Sequence, residues 1–335
     1  MKIKRVQIKK TGKISLAVLH EDTWIVLEQL LQYSKNDRSR ERALLAESSD
    51  DLILFLQQRE RFEKKLFALI ADARKKKKNL LPDCSDIIPF EPLMYRDFML
   101  SERHVINSSR GFLKHLFPGM VPVVRLYESL TRKTFPSFFP KKPWYENPVY
   151  YKGNHLSFFT DGEQIPFPSY AKLKDYELEL GMIITKELYN ASKAEAKEAI
   201  GAFCIFNDFS IRNVQFDEMK KTGFGPSKAK DFANAISSVV VTADELWPHI
   251  GNLETRVFIN GKLAATGKTD EFYHSLEEAV AYASKGEHVY PGEFMASGTI
   301  PNCCGMENGI LLEYGDEIRL EIDMIGDLTN RIAQG

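Results

Sequence analysis

Cysteine is scarce in this chain. Its 335 residues hold four, Cys84, Cys204, Cys303 and Cys304, too few for a disulfide framework and in no zinc-binding spacing. Cys303 and Cys304 are adjacent, and a bridge between neighbours would be strained. All four are therefore expected as reduced thiols of a cytoplasmic protein. Long apolar runs are lacking too. None approaches the ~20 residues that span a bilayer, and no apolar stretch follows the basic start MKIKRVQIKK, so neither a membrane span nor a secretory leader is expected. No one sign of charge prevails either. Lys and Arg number 45, Asp and Glu 46, for a formal net charge of −1, and that leaves no whole-protein field to gather nucleic acid. Repeats and low-complexity tracts are absent. What remains is an ordinary globular composition, 44% hydrophobic and 27% charged, long enough to bury a core without staples.

Residues 1–33 read as short strands, with β-branched and apolar residues set between turns such as Thr11-Gly12. Residues 38–78 carry leucines, isoleucines and phenylalanines at helical spacing and end in Arg74-Lys-Lys-Lys-Lys78, read as a solvated helix end. Prolines punctuate residues 81–92 and place a boundary there, with an N-terminal domain at 1–90 and a second at 91–335. Residues 110–150, crowded with aromatics and prolines, suggest a lid or binding excursion built of short helices. The remainder is strand-rich. Asn260-Gly261 marks a hairpin, and Gly315-Asp316 marks a turn between strands 310–314 and 317–324.

The stretch most suggestive of chemistry is Asp175-Tyr-Glu-Leu-Glu-Leu-Gly-Met182. It alternates, with Glu177 and Glu179 on one face and Tyr176, Leu178, Leu180 and Met182 on the other, as in a strand. Two carboxylates at this spacing, at the edge of an apolar run, suit a hard divalent cation with oxygen ligands; an ordinary strand with a wet acidic face fits them as well. Asp208 ends another apolar strand. Asp97 reads as the N-cap of a helix over 98–107, with His104 two turns along.

Taken together these segments resemble the fumarylacetoacetate hydrolase family over residues 93–332. The markers are Tyr95-x-Asp97-Phe98 with His104, Tyr151-x-Gly153, Glu177-x-Glu179, Asn207-Asp208-x-Ser210-x-Arg212-x-x-Gln215, Lys230-x-Phe232, Ser297-Gly298-Thr299 and Leu311-x-Glu313-x-Gly315-Asp316. Each is weak alone; their order and spacing are specific. The resemblance implies an α+β fold, a mixed β-roll preceded by a smaller N-terminal α/β domain, and a homodimer. It implies Asp97, Glu177, Glu179 and Asp208 as ligands of Mg²⁺, Ca²⁺ or Mn²⁺, with Lys230 relieving their charge. His104 is the implied base, paired with Glu313, and Tyr151, Gln215, Lys230, Thr299 and Arg110 are the implied substrate contacts. Arg212 is expected to brace the Asp208 loop, and Asn234 to assist beside Lys230. Met99 and Met219 stand where fumarylacetoacetate enzymes carry tyrosines, which points to a more apolar acyl group.

The expected activity is hydrolysis of a carbon–carbon bond in a small β-diketo or 2-oxo acid, as in the catabolism of aromatic compounds. The alternatives are a hydratase or decarboxylase of the same family and a catalytically silent, metal-stabilised binding protein. Neither nucleic acid nor membrane is an expected partner.

Overall fold

The computed structural model describes all residues, Met1–Gly335. Its fold is mixed α+β. A 12-stranded sheet runs in the order Thr23–Val26, Ile14–His20, Lys2–Ile8, Val239–Thr242, Ile200–Asn207, Leu178–Ile184, Phe294–Ala296, Tyr95–Phe98, Tyr150–Lys152, with three short strands branching from this path. Most neighbours are antiparallel, but Phe294–Ala296 runs parallel to Tyr95–Phe98. A five-stranded sheet holds Lys262–Lys268, Glu254–Ile259, Glu317–Ile322, Gly326–Gln334 and Gln164–Phe167.

At the centre lies Leu178–Ile184, buried along its whole length. Its even-numbered residues, Leu178, Leu180, Met182 and Ile184, belong to one 40-residue core, and Ile183 belongs to a second core of 26 residues on the opposite face. Pleating thus sends Glu177 and Glu179 to the side whose interior is completed by Gly181 and Ile183. Gly181 must lack a side chain, because a Cβ there would stand 2.5 Å from the Phe294 ring and 2.8 Å from Cys204 Sγ.

The sheet crosses the boundary expected near residue 90. Lys2–Ile8 pairs antiparallel with Val239–Thr242, and the second core joins Leu16, Phe55, Phe62 and Ile70 to Ile183, Phe206 and Phe294. The N-terminal segment is continuous with the rest in both backbone and core. The helical stretch 38–78 is two helices, Arg40–Glu47 and Leu52–Lys75, because Asp51 caps the second through Leu54 N (3.0 Å). The Asn260-Gly261 hairpin is present, with both residues at positive φ. No strand forms at 310–314. Only Leu312 bridges, to Lys174, and Glu317–Ile322 pairs onward with Gly326–Gln334.

The helix predicted over 98–107 starts later, at Glu102–Leu116, and its N-cap is Ser101, whose hydroxyl accepts from His104 N (3.2 Å). Asp97 is not a cap. It lies in Tyr95–Phe98, held extended by strands on both sides. Residues 118–146 form short helices, including Val121–Thr131 and Lys142–Glu146. They are anchored where the buried Trp144 donates to Met99 O (2.7 Å).

Candidate active site

Three strands bring three carboxylates together. Asp97 comes from Tyr95–Phe98, Glu179 from Leu178–Ile184, and Asp208 follows Ile200–Asn207. All three are buried, and their carboxylate oxygens lie within 4.8 Å of one another. The register enforces the meeting. Leu178 pairs with Asn207, Gly181 with Ala296, and Ala296 with Asp97. Asp208 N then donates to Glu177 O (3.1 Å), and the Asn207 side chain accepts from Glu177 N (3.1 Å).

Neutral donors hold the outer oxygens. Tyr95 OH donates to Asp97 Oδ2 (2.6 Å) and Tyr151 OH to Asp208 Oδ2 (2.8 Å), with the two hydroxyls 3.1 Å apart. Gly298 N donates to Glu179 Oε2 (2.9 Å). Only glycine serves there, since its φ is +76° and a Cβ would stand 2.3 Å from Phe98 O. Thr299 is buried directly after it. Asp97 Oδ1 has no partner, an unusual state for a buried oxygen.

Cations gather on one flank. Lys230 Nζ donates to both Glu177 and Asp208. The buried Arg212 donates to Glu177 Oε1 (2.6 Å), Asp175 Oδ2 (2.6 Å) and Gln215 Oε1 (2.8 Å). Glu177 is thereby engaged by Arg212 and Lys230, beside the trio rather than within it. The Asn234 amide lies 3.1 Å from Asp208 Oδ1 when its nitrogen faces that oxygen.

These placements divide the acids. Burial drives the carboxyls of Glu179, Asp208 and Asp97 above their ordinary range, and the neighbouring carboxylates add to the rise. Burial acts the same way on Glu177, but Arg212 and then Lys230 outweigh it and hold this carboxyl below its usual range. For Lys230 burial opposes the charge, and Asp208 and Glu177 outweigh that, so the ammonium is retained.

Across the cluster stands His104, buried in the first turn of its helix, with Nε2 3.9 Å from Glu177 Oε1. Its Nδ1 lies 3.3 Å from Glu307 Oε2. The expected partner, Glu313, is elsewhere. Its side chain is 79% exposed and meets Lys174 Nζ at 3.2 Å. The chain after Cys304 coils into a short helix, Gly305–Asn308. Asp175 anchors that helix by accepting from Gly305 N (2.7 Å) and Met306 N (3.0 Å). It packs so closely on Glu102–Leu116 that a Cβ at Gly111 would stand 1.9 Å from Met306 O. Glu307 therefore reaches the imidazole, whereas Glu313 has passed onto a surface turn. The run Gly305-Met-Glu-Asn-Gly309, an acid between two glycines, was the available signal.

Arg110 also turns away. Six residues beyond His104 is about 240° around the helix, and Arg110, 43% exposed, pairs with Glu128 at 2.8 Å. Tyr151, Gln215 and Lys230 are at the cluster, as described.

The profile of the C-terminal domain of fumarylacetoacetate (FAA) hydrolases matches residues 127–333, more than half of the chain. The chain belongs to the fumarylacetoacetate hydrolase family. Among curated members it is 28% identical over 236 residues to the homoprotocatechuate catabolism bifunctional isomerase/decarboxylase of Escherichia coli, covering 63% of this chain and 52% of that one. It is 26% identical over 191 residues to the mitochondrial oxaloacetate tautomerase of Rattus norvegicus, covering 56% and 59%. The matches thus span between half and three-fifths of those curated relatives. Among solved structures, maleylpyruvate hydrolase from Sphingobium sp. SYK-6, in complex with manganese(II) and pyruvate, shares the fold with a TM-score of 0.66, 17% identity and full coverage of both chains. No helix of this family member is long and apolar enough to cross a membrane.

Proposed function

We propose that this protein is a divalent-cation-dependent enzyme that hydrolyses a carbon–carbon bond in a small β-diketo or 2-oxo acid. The observation that carries the reading is the buried trio Asp97, Glu179 and Asp208 facing the His104–Glu307 pair. The trio fits a hard cation. It is all oxygen, burial raises the proton affinity of each member, and Asp97 Oδ1 lacks a partner. Mg²⁺, Ca²⁺ or Mn²⁺ suits such a donor set, and a bound cation supplies polarisation of an oxo group and stabilisation of enolate charge.

The chain's own residues do the rest. The Glu307 carboxylate, 3.3 Å from Nδ1 of His104, draws the imidazole proton to that nitrogen by its charge, leaving the Nε2 lone pair turned toward the acidic cluster, where it takes a proton from water. The returned proton goes to the departing carbon from the same nitrogen. Lys230, charged and buried, binds substrate oxyanion or carboxylate together with Tyr151 and Gln215, and Thr299 lines the same region. Arg212 positions Glu177 and Gln215.

The test is product analysis on a panel of acylpyruvates with Mn²⁺ present. Two fragments, a carboxylic acid and a methyl ketone or oxo acid, are expected, with loss of turnover in EDTA. A second reading, isomerisation, tautomerisation or decarboxylation of a 2-oxo acid, is favoured by the names of the curated relatives. It predicts carbon dioxide or an isomer instead, and a chain that consumes no oxo acid at all would overturn both.

Cation removal has a stability signature of defined sign. Glu179, Asp208 and Asp97 bind protons more tightly folded than unfolded. Their contribution to stability is fully present below the unfolded carboxyl range and is lost as pH rises from about 4 toward the folded values. Glu177, held low, contributes stability that grows as pH rises through its unfolded range and is complete above about pH 6, and Lys230, held high, stays charged throughout, so neither adds a slope above about pH 6. In EDTA the Tm is therefore expected to fall, relative to Mn²⁺-loaded protein, as pH rises above about 6. Manganese stabilisation that fails to grow with pH would contradict the assignment of the trio.

A further inference from the structure

Behind the imidazole lies a second group of ligand atoms. His104, Cys304 and Glu307 each offer one within 4.8 Å of the others. His104 and Cys304 are buried, and the Glu307 side chain is only 2% exposed. His104 Nδ1 and Glu307 Oε2 stand 3.3 Å apart without an aligned hydrogen bond, and no other group serves Nδ1 or either Glu307 carboxylate oxygen, although buried polar groups are ordinarily satisfied. Backbone contacts set their places. Cys304 forms an isolated bridge with Glu177, the helix that carries Glu307 begins at Gly305 under Asp175, and His104 sits one turn inside its Ser101 cap.

The chemistry of this group differs from that of the trio. The trio is all oxygen, whereas nitrogen, sulfur and oxygen together select a borderline-soft cation, and three such protein ligands with a fourth position open are a common zinc arrangement. We propose that His104, Cys304 and Glu307 form a separate, inhibitory site for a borderline-soft divalent cation, Zn²⁺ being the representative. On binding, the Cys304 thiol becomes a thiolate and one proton leaves to solvent. The buried thiol holds that proton tightly, so affinity falls as pH falls. A cation on Nδ1 leaves the imidazole proton on Nε2. The nitrogen that faces Glu177 then donates and can no longer accept, and Glu307 is occupied as well. The inhibitory consequence rests on the reading of His104 as the base; the binding site itself does not.

The experiment uses the full-length protein with its oxygen site saturated by Mg²⁺ and Cd²⁺ as the spectroscopic probe. One equivalent of Cd²⁺ is expected to give an ultraviolet thiolate-to-metal charge-transfer band, with parallel loss of turnover when Zn²⁺ is added. Cys304→Ser should abolish the band and raise the Zn²⁺ concentration for half-inhibition at least about tenfold, with Mg²⁺-supported turnover unchanged. Cys304→Ala serves if serine does not fold at this buried position, and Cys303→Ser should leave both readouts as in the parent. Absence of the band, or its persistence in Cys304→Ser, overturns the site. A band without inhibition overturns the inhibitory role. Failure of the hydrolase reading would show as absent turnover with the band intact, so the two outcomes are distinguishable.

Discussion

Replacing Glu307 with glutamine is expected to lower kcat by roughly 10²-fold or more, and His104→Ala by roughly 10²–10⁴-fold, the range attributed to a positioned acid–base group. Glu313→Gln should leave kcat unchanged. The physical argument is electrostatic and geometric. The Glu307 carboxylate, 3.3 Å from Nδ1, fixes the tautomer that turns a lone pair toward the acidic cluster and stabilises the imidazolium once a proton has been taken. Glutamine keeps the shape but removes the charge, so kcat should fall more than KM rises. Glu313, on a surface turn beside Lys174, has no such access. Steady-state kinetics of the three variants on one acylpyruvate decide the matter. Equal kcat for Glu307→Gln and Glu313→Gln would remove Glu307 from the machinery.

Arg212→Met is expected to destabilise the fold by about 3–5 kcal/mol, the cost of stranding buried charge. The guanidinium lies between Asp175 and Glu177, both buried, and the methionine that replaces it offers no donor to either. Asp175 retains the amides of Gly305 and Met306. Glu177 retains Lys230 but loses the partner that most strongly holds it ionised. Urea unfolding reads the loss as a lower midpoint. An exposed pair gives the contrast. Removing Lys186 from Glu198, which meet at 3.1 Å in solvent, should change stability by no more than about 1 kcal/mol. If the two variants unfold at the same midpoint, Arg212 is not the brace described here.

The legible parts of this protein are those with a local cause. Alternation about Glu177 and Glu179 announces a strand with an acidic face, because side chains on a strand repeat every two residues. The apolar run that ends at Asn207-Asp208 announces a buried strand with polar residues at its mouth. Asn260-Gly261 closes a hairpin because both positions take positive φ. Helix caps do not follow from residue type alone. Ser192 with Glu195, and Ser275 with Glu278, form capping boxes, whereas Asp97, the cap expected from the sequence, is an extended strand residue. Parallel pairing with Phe294–Ala296, nearly 200 residues away, overrides the local preference.

By itself the sequence determined the family's motif set and the strand character of the acidic pair, and the family resemblance implied a lysine beside the acids. The tertiary structure alone decided which groups meet. It drew Lys2–Ile8 into the central sheet, assigned Glu177 to Arg212 and Lys230, turned Arg110 toward Glu128, and gave His104 the carboxylate of Glu307 in place of Glu313. The reason is physical. Composition and periodicity report what each segment does along its own axis, but a contact between distant segments depends on ladder register, helix azimuth and loop length, and these exist only once the chain has closed on itself.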